Sequence, residues 1–263
     1  MNEREKTEFF YEIFDPALPR YGPGSDGSTK RALDMLYSSA KPIGGHAPDA
    51  AGLRILDIGC GNGAQTIGLA RHTRGTITAV DNHRPALDEL RRRAEAAGVS
   101  GRIRICLKDM RDLGPDDGTF DLIWSEGAIA YYPGFREGVA ACRRLLVPDG
   151  LVAVSELTWF RPDPPEECRK FFADVYPAMA DADANVAVIS GCGFEVLGHF
   201  SLPESDWLES FYLPLENRVQ TLRRTYGTDP ERMQALDEIQ LEIDIYRKYS
   251  RYYGYEFYLM QRG

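Results

Sequence analysis

The apolar and polar positions change period several times along the chain, and those changes mark its elements. Arg54-Ile55-Leu56-Asp57-Ile58 is a short apolar run of the kind found in buried parallel strands. Gly59, Gly61 and Gly63 break it at alternate positions, and over 65–72 the pattern turns helical. The spacing predicts strand, glycine turn and helix, the opening of a nucleotide-binding crossover unit. A second strand is expected over 77–81. A helix follows over 85–97, with Leu87, Leu90, Ala94 and Ala97 on one face and Gly98 as its stop. Strand patterns recur over 102–107, 119–125 and 151–157, with a helical one over 135–146. This alternation demands an α/β fold, a parallel sheet with helices on both faces.

The flanking segments read differently. Residues 8–14 predict a short helix, and 28–39 another, carrying Ala32, Leu33, Leu36 and Tyr37. Asp15-Pro16, Pro19 and the glycine-rich stretch 22–27 punctuate the loop between them. Two further strands are expected, over 193–200 and 255–260. The intervening 202–254 is too apolar for a loop: Asp229-Pro230 is a helix start, and Met233, Leu236, Ile239, Ile243 and Tyr246 keep a helical stripe. It is expected either to cap the pocket or to form a subunit interface, the second giving a homodimer. The chain thus divides into an N-terminal segment (1–50), a nucleotide-binding core (51–201), an insertion (202–254) and a last core strand (255–263).

Composition narrows the class. Apolar residues make up 43% and charged residues 27%, the balance of a soluble globular protein. A formal charge of −9 argues against a surface that tracks phosphates, so no nucleic-acid partner is expected. Arg91-Arg92-Arg93 reads as a solvated helix face. No apolar run approaches membrane-spanning length and no leader is visible. The five cysteines are odd in number and scattered, which fits neither a zinc site nor a disulfide framework, and a reducing, cytoplasmic setting is expected.

The glycines alone leave the ligand open, since Gly59, Gly61 and Ala64 also satisfy the looser dinucleotide pattern. Asp57 argues against that reading. A carboxylate at the end of the first strand repels a pyrophosphate and suits a ligand that brings positive charge. Asp81, at the end of the second strand, stands where such folds place the acid that accepts from ribose hydroxyls.

Five stretches occur in order over roughly 50–160: Leu56-Asp57-Ile58-Gly59-Cys60-Gly61-Asn62-Gly63, Val80-Asp81, Lys108-Asp109-Met110, Phe120-Asp121-Leu122-Ile123-Trp124 and Leu145-Leu146-Val147-Pro148-Asp149-Gly150. On them the chain resembles the class I S-adenosylmethionine-dependent methyltransferases. The resemblance implies a Rossmann-like, doubly wound, seven-stranded, mostly parallel sheet with an antiparallel last strand. It also implies an N-terminal segment folded over the cofactor as a lid, with Tyr11 and Tyr21 the residues to watch; a plain linker is the alternative. S-adenosyl-L-methionine, with its ammonium and sulfonium groups, is the implied cofactor. Asp57, Gly59, Gly61 and Gly63 are then assigned to its methionine part, Asp81 to the ribose, Asn82, Asp109 and Met110 to the adenine, and Ser125 to the cofactor side of the fourth strand end.

Methyl transfer from a sulfonium needs alignment and exclusion of water more than an acid–base apparatus, so neither a metal nor a triad is expected. Glu126, Tyr131, Glu156 and Trp159 follow the fourth and fifth strands and are the catalytic candidates. Carboxylates beside aromatics favour an amine-bearing or cationic small-molecule acceptor. The leading expectation is transfer to N or O of a small molecule. Alternatives are a C-methyltransferase of quinone or sterol type, a non-catalytic S-adenosylmethionine-binding regulator, and a dinucleotide oxidoreductase.

Overall fold

The computed structural model describes residues 1–263 and is built on a single twisted sheet. Helices α1 (Glu3–Ile13) and α2 (Asp26–Ser39) precede it. The crossover core follows as β1 (Arg54–Ile58), α3 (Ala64–His72), β2 (Thr76–Asp81), α4 (Arg84–Ala96), β3 (Ile103–Leu107), β4 (Phe120–Glu126), α5 (Phe135–Leu145) and β5 (Leu146–Trp159). Then come α6 (Glu166–Val175), the two-residue β6 (Ala180–Asp181), α7 (Ala182–Gly191) and β7 (Phe194–Ser201). The insertion holds α8 (Glu204–Trp207), α9 (Leu213–Tyr226) and α10 (Pro230–Tyr249), and β8 (Tyr253–Arg262) closes the chain.

The strand order is β3-β2-β1-β4-β5-β8-β7, with β6 paired to β5. The first five strands run parallel, whereas β8 pairs antiparallel with both β5 and β7. The order reverses between β1 and β4. In open α/β sheets, ligands sit outside the carboxyl ends of the strands at such a switch point. The doubly wound sheet and its antiparallel last strand are as expected from the sequence.

Strand alternation sorts the side chains into two cores. Ile55, Leu122, Trp124, Ala153 and Phe257 face one side, where α1, α2 and the insertion pack around them. Leu56, Ile123, Val154, Tyr258 and Met260 face the other, against α5 and α7. The insertion therefore covers a sheet face. Arg218 of α9 donates to the Glu12 carbonyl at 2.9–3.0 Å, and the Tyr226 hydroxyl donates to the Glu12 carboxylate, so α9 also holds α1. On the far side, Tyr249 and Lys248 of α10 reach Glu167 of α6. The Asp229 side chain accepts from the Arg232 N–H at 3.1 Å and caps α10 as the sequence predicts, worth about 1 kcal/mol.

Three features escape the sequence pattern. Helix α6 begins directly after Pro164-Pro165 and buries only Cys168 and Phe172. Helix α7 spreads its alanines and valines around the axis, so no apolar stripe marks it. Strand β5 runs from Leu146 and not from 151, because Asp149 takes the left-handed conformation (φ 60°) and lets the chain kink without leaving the sheet.

Candidate active site

The glycine loop lies at the reversal between β1 and β4. Gly59 and Gly61 take left-handed backbone (φ 69° and 52°), which lets the chain turn sharply from β1 into α3. A Cβ on Gly61 would stand 3.1 Å from the Tyr21 ring, and one on Gly59 would clash with Ala128 and touch Met110. Met110, expected beside the adenine, thus faces the loop. Tyr21 lies directly against it.

Two acids, Asp57 and Asp81, stand against this loop. Asp57 is fully buried, accepting from Thr66 Oγ1 at 2.6 Å and from Gln65 Nε2 at 3.4 Å. Burial pushes it up to about 7, against the pull of those hydrogen bonds, and the charges of Glu126 and Asp81 push the same way. Asp81 accepts from the Gly61 N–H and the His83 N–H, both at 2.9 Å, and so holds the loop against the end of β2. Each of its oxygens keeps a lone pair for a further donor. Beside it the Tyr11 ring stacks on His83, centroids 3.6 Å apart. Asn82, between them, is exposed.

Two polar atoms here are sealed from solvent without a partner: the Tyr21 hydroxyl and His83 Nδ1. Orphaned buried groups of this kind are rare and call for a ligand or water. A cradle of loop glycines, acids without a cation, and orphaned polar atoms at its rim fit a ligand with ammonium, sulfonium and ribose groups. The same acids oppose a diphosphate.

Other candidates are engaged locally. The Asp109 carboxylate takes a fork from Arg111 (Nε 2.9 Å, Nη2 2.6 Å) and the Arg111 N–H, which holds it near 2. Ser125 is buried and donates to the Ile58 carbonyl at 3.0 Å, joining β4 to β1. Its side chain lies on the sheet face opposite Trp124 and Glu126, as alternation requires.

Glu126 is the hub of the strand ends. Trp124 Nε1 donates to its Oε1 at 2.9 Å, because residues two apart share a face. Thr29 Oγ1 of α2 donates to the same oxygen at 2.9 Å, and Arg20 forms an ion pair with Oε2. The carboxylate thereby clamps the N-terminal segment onto β4. A second tie runs from Ser28 Oγ to Asp206 of α8 at 2.5 Å.

The four catalytic candidates do not meet as one set. Glu126 pairs in register with Ser155, so Glu156 lies just beyond β4 and, by alternation, faces away from Trp159. Its Oε1 accepts from the Tyr176 hydroxyl at 2.7 Å, while Oε2 is sealed and unpartnered; burial pushes the group up to about 7. Trp159 packs edge-on against Phe172 and Tyr253, at 5.4 and 6.2 Å between centroids. Tyr131 is 74% exposed, at the end of the short turn Ile129–Tyr131 that follows β4.

Several residues at this edge escape the sequence reading. Arg20 and Thr29 carry no motif. Tyr255 reads as an ordinary strand residue, yet its hydroxyl would lie 3.0 Å from a Cβ on Gly127, the residue after Glu126. Tyr212 and Glu242 come from the insertion, and only the alternating aromatics Tyr253, Tyr255 and Phe257 hint at the face they join.

Comparison with known proteins bears on the domain and the fold. Residues 55–150 match a family model described as a methyltransferase domain. The chain is 31% identical over 128 residues to methyltransferase GfsG of Streptomyces halstedii, covering 49% of this chain and 44% of that protein. It is 24% identical over 213 residues to sterol 24-C-methyltransferase erg-4 of Neurospora crassa, covering 78% of this chain and 54% of that one. The chain spans about half the length of the curated relatives it matches. A crystal structure of a SAM-dependent methyltransferase from Geobacter sulfurreducens in complex with S-adenosyl-L-homocysteine superposes with a TM-score of 0.77 at 18% identity, covering 97% of this chain and 98% of that chain. Residues 55–150 thus match a methyltransferase domain, and the whole chain has the fold of S-adenosylmethionine-dependent methyltransferases. No helix is long and apolar enough to cross a membrane.

Proposed function

We propose that the chain binds S-adenosylmethionine at the glycine loop and supports methyl transfer to N or O of a small molecule at the end of β4. The observation that carries this reading is the uncompensated acid at the loop. Asp57 is buried with only neutral donors, Thr66 and Gln65, so a ligand ammonium supplies the missing charge. When bound, the cofactor supplies a methyl carbon already activated by its sulfonium.

The remaining work falls to this chain's residues. Tyr21 and the Arg20–Glu126 clamp close the N-terminal segment over the crevice and exclude water. Asp81 has lone pairs for ribose hydroxyls, and Met110 faces the same loop. Glu126 is engaged by Arg20, Thr29 and Trp124, which supports a clamping role over that of a free base. Tyr255 reaches Gly127 and Tyr131 ends the turn that follows it, at the strand end to which we assign the acceptor.

Similarity to sterol 24-C-methyltransferases favours a second reading, transfer to carbon. Titration calorimetry with S-adenosylhomocysteine tests cofactor binding, and release of that product from S-adenosylmethionine in the presence of pooled metabolites tests turnover. Mass spectrometry of the methylated product then separates N, O and C. Binding without turnover on any acceptor would leave a regulatory cofactor-binding protein. Tight NADH binding with indifference to S-adenosylhomocysteine would overturn the reading altogether.

A further inference from the structure

The insertion contributes a carboxylate that no cation of the protein matches. Glu242 projects from α10, and its Oε1 accepts from the Tyr212 hydroxyl at 2.9 Å. Its other oxygen has no hydrogen bond and is not among the atoms sealed from solvent. Neighbouring acids of the insertion are paired: Glu216 takes a fork from Arg247 at 2.6–2.7 Å, and Asp237 pairs with Arg223 at 2.6 Å. Beside Glu242 stands a phenol instead. Tyr212 donates to the carboxylate, and the Trp207 ring, 5.7 Å from that of Tyr212 and 5.0 Å from that of Tyr255, links it to the last strand.

Two of the phenols, Tyr255 and Tyr131, border the end of β4. The Tyr255 hydroxyl is placed against Gly127, and Tyr131 ends the short turn Ile129–Tyr131 that follows it. Tyr212 is turned inward by a π-helical turn, Leu208–Tyr212, of the kind that recurs at functional sites. A separate observation also points to a ligand. Tyr253, 1% exposed and on the same face of β8 as Tyr255, has a hydroxyl with no partner. Trp207 Nε1 is likewise sealed and unpartnered, its ring 5.0 Å from that of Tyr255.

We propose that Glu242, with the rings of Tyr131, Tyr212 and Tyr255, forms a subsite for the cationic amine group of the acceptor. A half-buried carboxylate with one neutral donor and no counter-ion attracts a ligand ammonium, which favours the charged form. Phenol faces add cation–π attraction that a neutral group of the same shape does not receive. The unpartnered hydroxyl and indole N–H are donors still without an acceptor on this side of the sheet. The inference rests on the methyl-transfer reading, which puts the acceptor beside Gly127.

Choline and its neutral isostere 3,3-dimethylbutan-1-ol, of the same shape, test the charge directly. The full chain is saturated with S-adenosylhomocysteine, and binding of each probe is followed by tryptophan fluorescence and saturation-transfer NMR. Choline is expected to bind about tenfold or more tightly than the isostere. Glu242→Gln should abolish that preference, whereas Glu238→Gln, on the exposed side of α10, should keep it. Equal binding of the two probes, binding of neither, or an undiminished preference in Glu242→Gln overturns the subsite. Calorimetry with S-adenosylhomocysteine alone separates the two levels. Failure there removes the methyl-transfer reading, whereas success there without a choline preference removes only the subsite.

Discussion

Arg20 and Glu126, 106 residues apart, form a buried ion pair that joins the loop before α2 to the end of β4. Their side chains are 10% and 4% exposed, and Thr29 and Trp124 satisfy the second carboxylate oxygen. The pair fixes where the N-terminal segment lies, and with it Tyr21 on the glycine loop.

Removing one partner strands the other's charge in the interior. Arg20→Met should therefore lose about 3–5 kcal/mol of unfolding free energy, and Glu126→Gln should show a loss of the same kind. The double variant Arg20→Met/Glu126→Gln should lose clearly less than the sum of the two single losses. Urea titration of the four proteins measures the coupling; additive losses would show that the pair does not act as a unit.

The Gly61 backbone needs a left-handed conformation, and its Cα faces the Tyr21 ring. Gly61→Ala adds strain of roughly 1–2 kcal/mol and displaces that ring. S-adenosylhomocysteine affinity should fall by about 5–30-fold in calorimetry. Unchanged affinity would mean that the ring does not help to enclose the ligand.

Asp57, raised to about 7 by burial, binds a proton that a ligand ammonium should expel. Affinity for S-adenosylhomocysteine should rise with pH up to about 7 and then level off. Below that point, binding should release a proton, read as a dependence of the calorimetric heat on buffer ionisation enthalpy. Asp57→Asn should remove the proton release.

Glu156 is raised to about 7 from an ordinary value near 4.5. The native state then holds a proton that the unfolded chain has lost, so stability is full below about 4 and declines as pH rises to 7. The total loss is about 3 kcal/mol. Glu156→Gln keeps an acceptor for Tyr176 and should flatten the decline, most visibly as a gain at pH 8. Urea midpoints between pH 4 and 8 check this, and parallel curves for the two proteins would sink it.

Trp159 packs edge-on with Phe172 and Tyr253 beneath the insertion. Trp159→Ala should cost about 3 kcal/mol of stability and leave S-adenosylhomocysteine affinity intact. A selective loss of turnover at unchanged stability would return it to the catalytic set.

The crossover core was legible in the sequence because its signals are local. Apolar runs, alternate glycines and strand-end acids each follow from a few neighbouring residues, and the handedness of parallel crossovers leaves little choice of topology. Asp57, Gly59, Gly61 and Asp81 could be placed in that way. The partners of Glu126, and the separation of Glu156 from Trp159, could not. Strand alternation and register decide which face a side chain occupies, and a one-residue change in either reverses it. Arg20, Glu242 and Tyr255 join the site from segments far apart in the chain. Only the packing of α1, α2 and the insertion onto one sheet face brings their charges and rings together, since burial and charge pairing depend on distance in space.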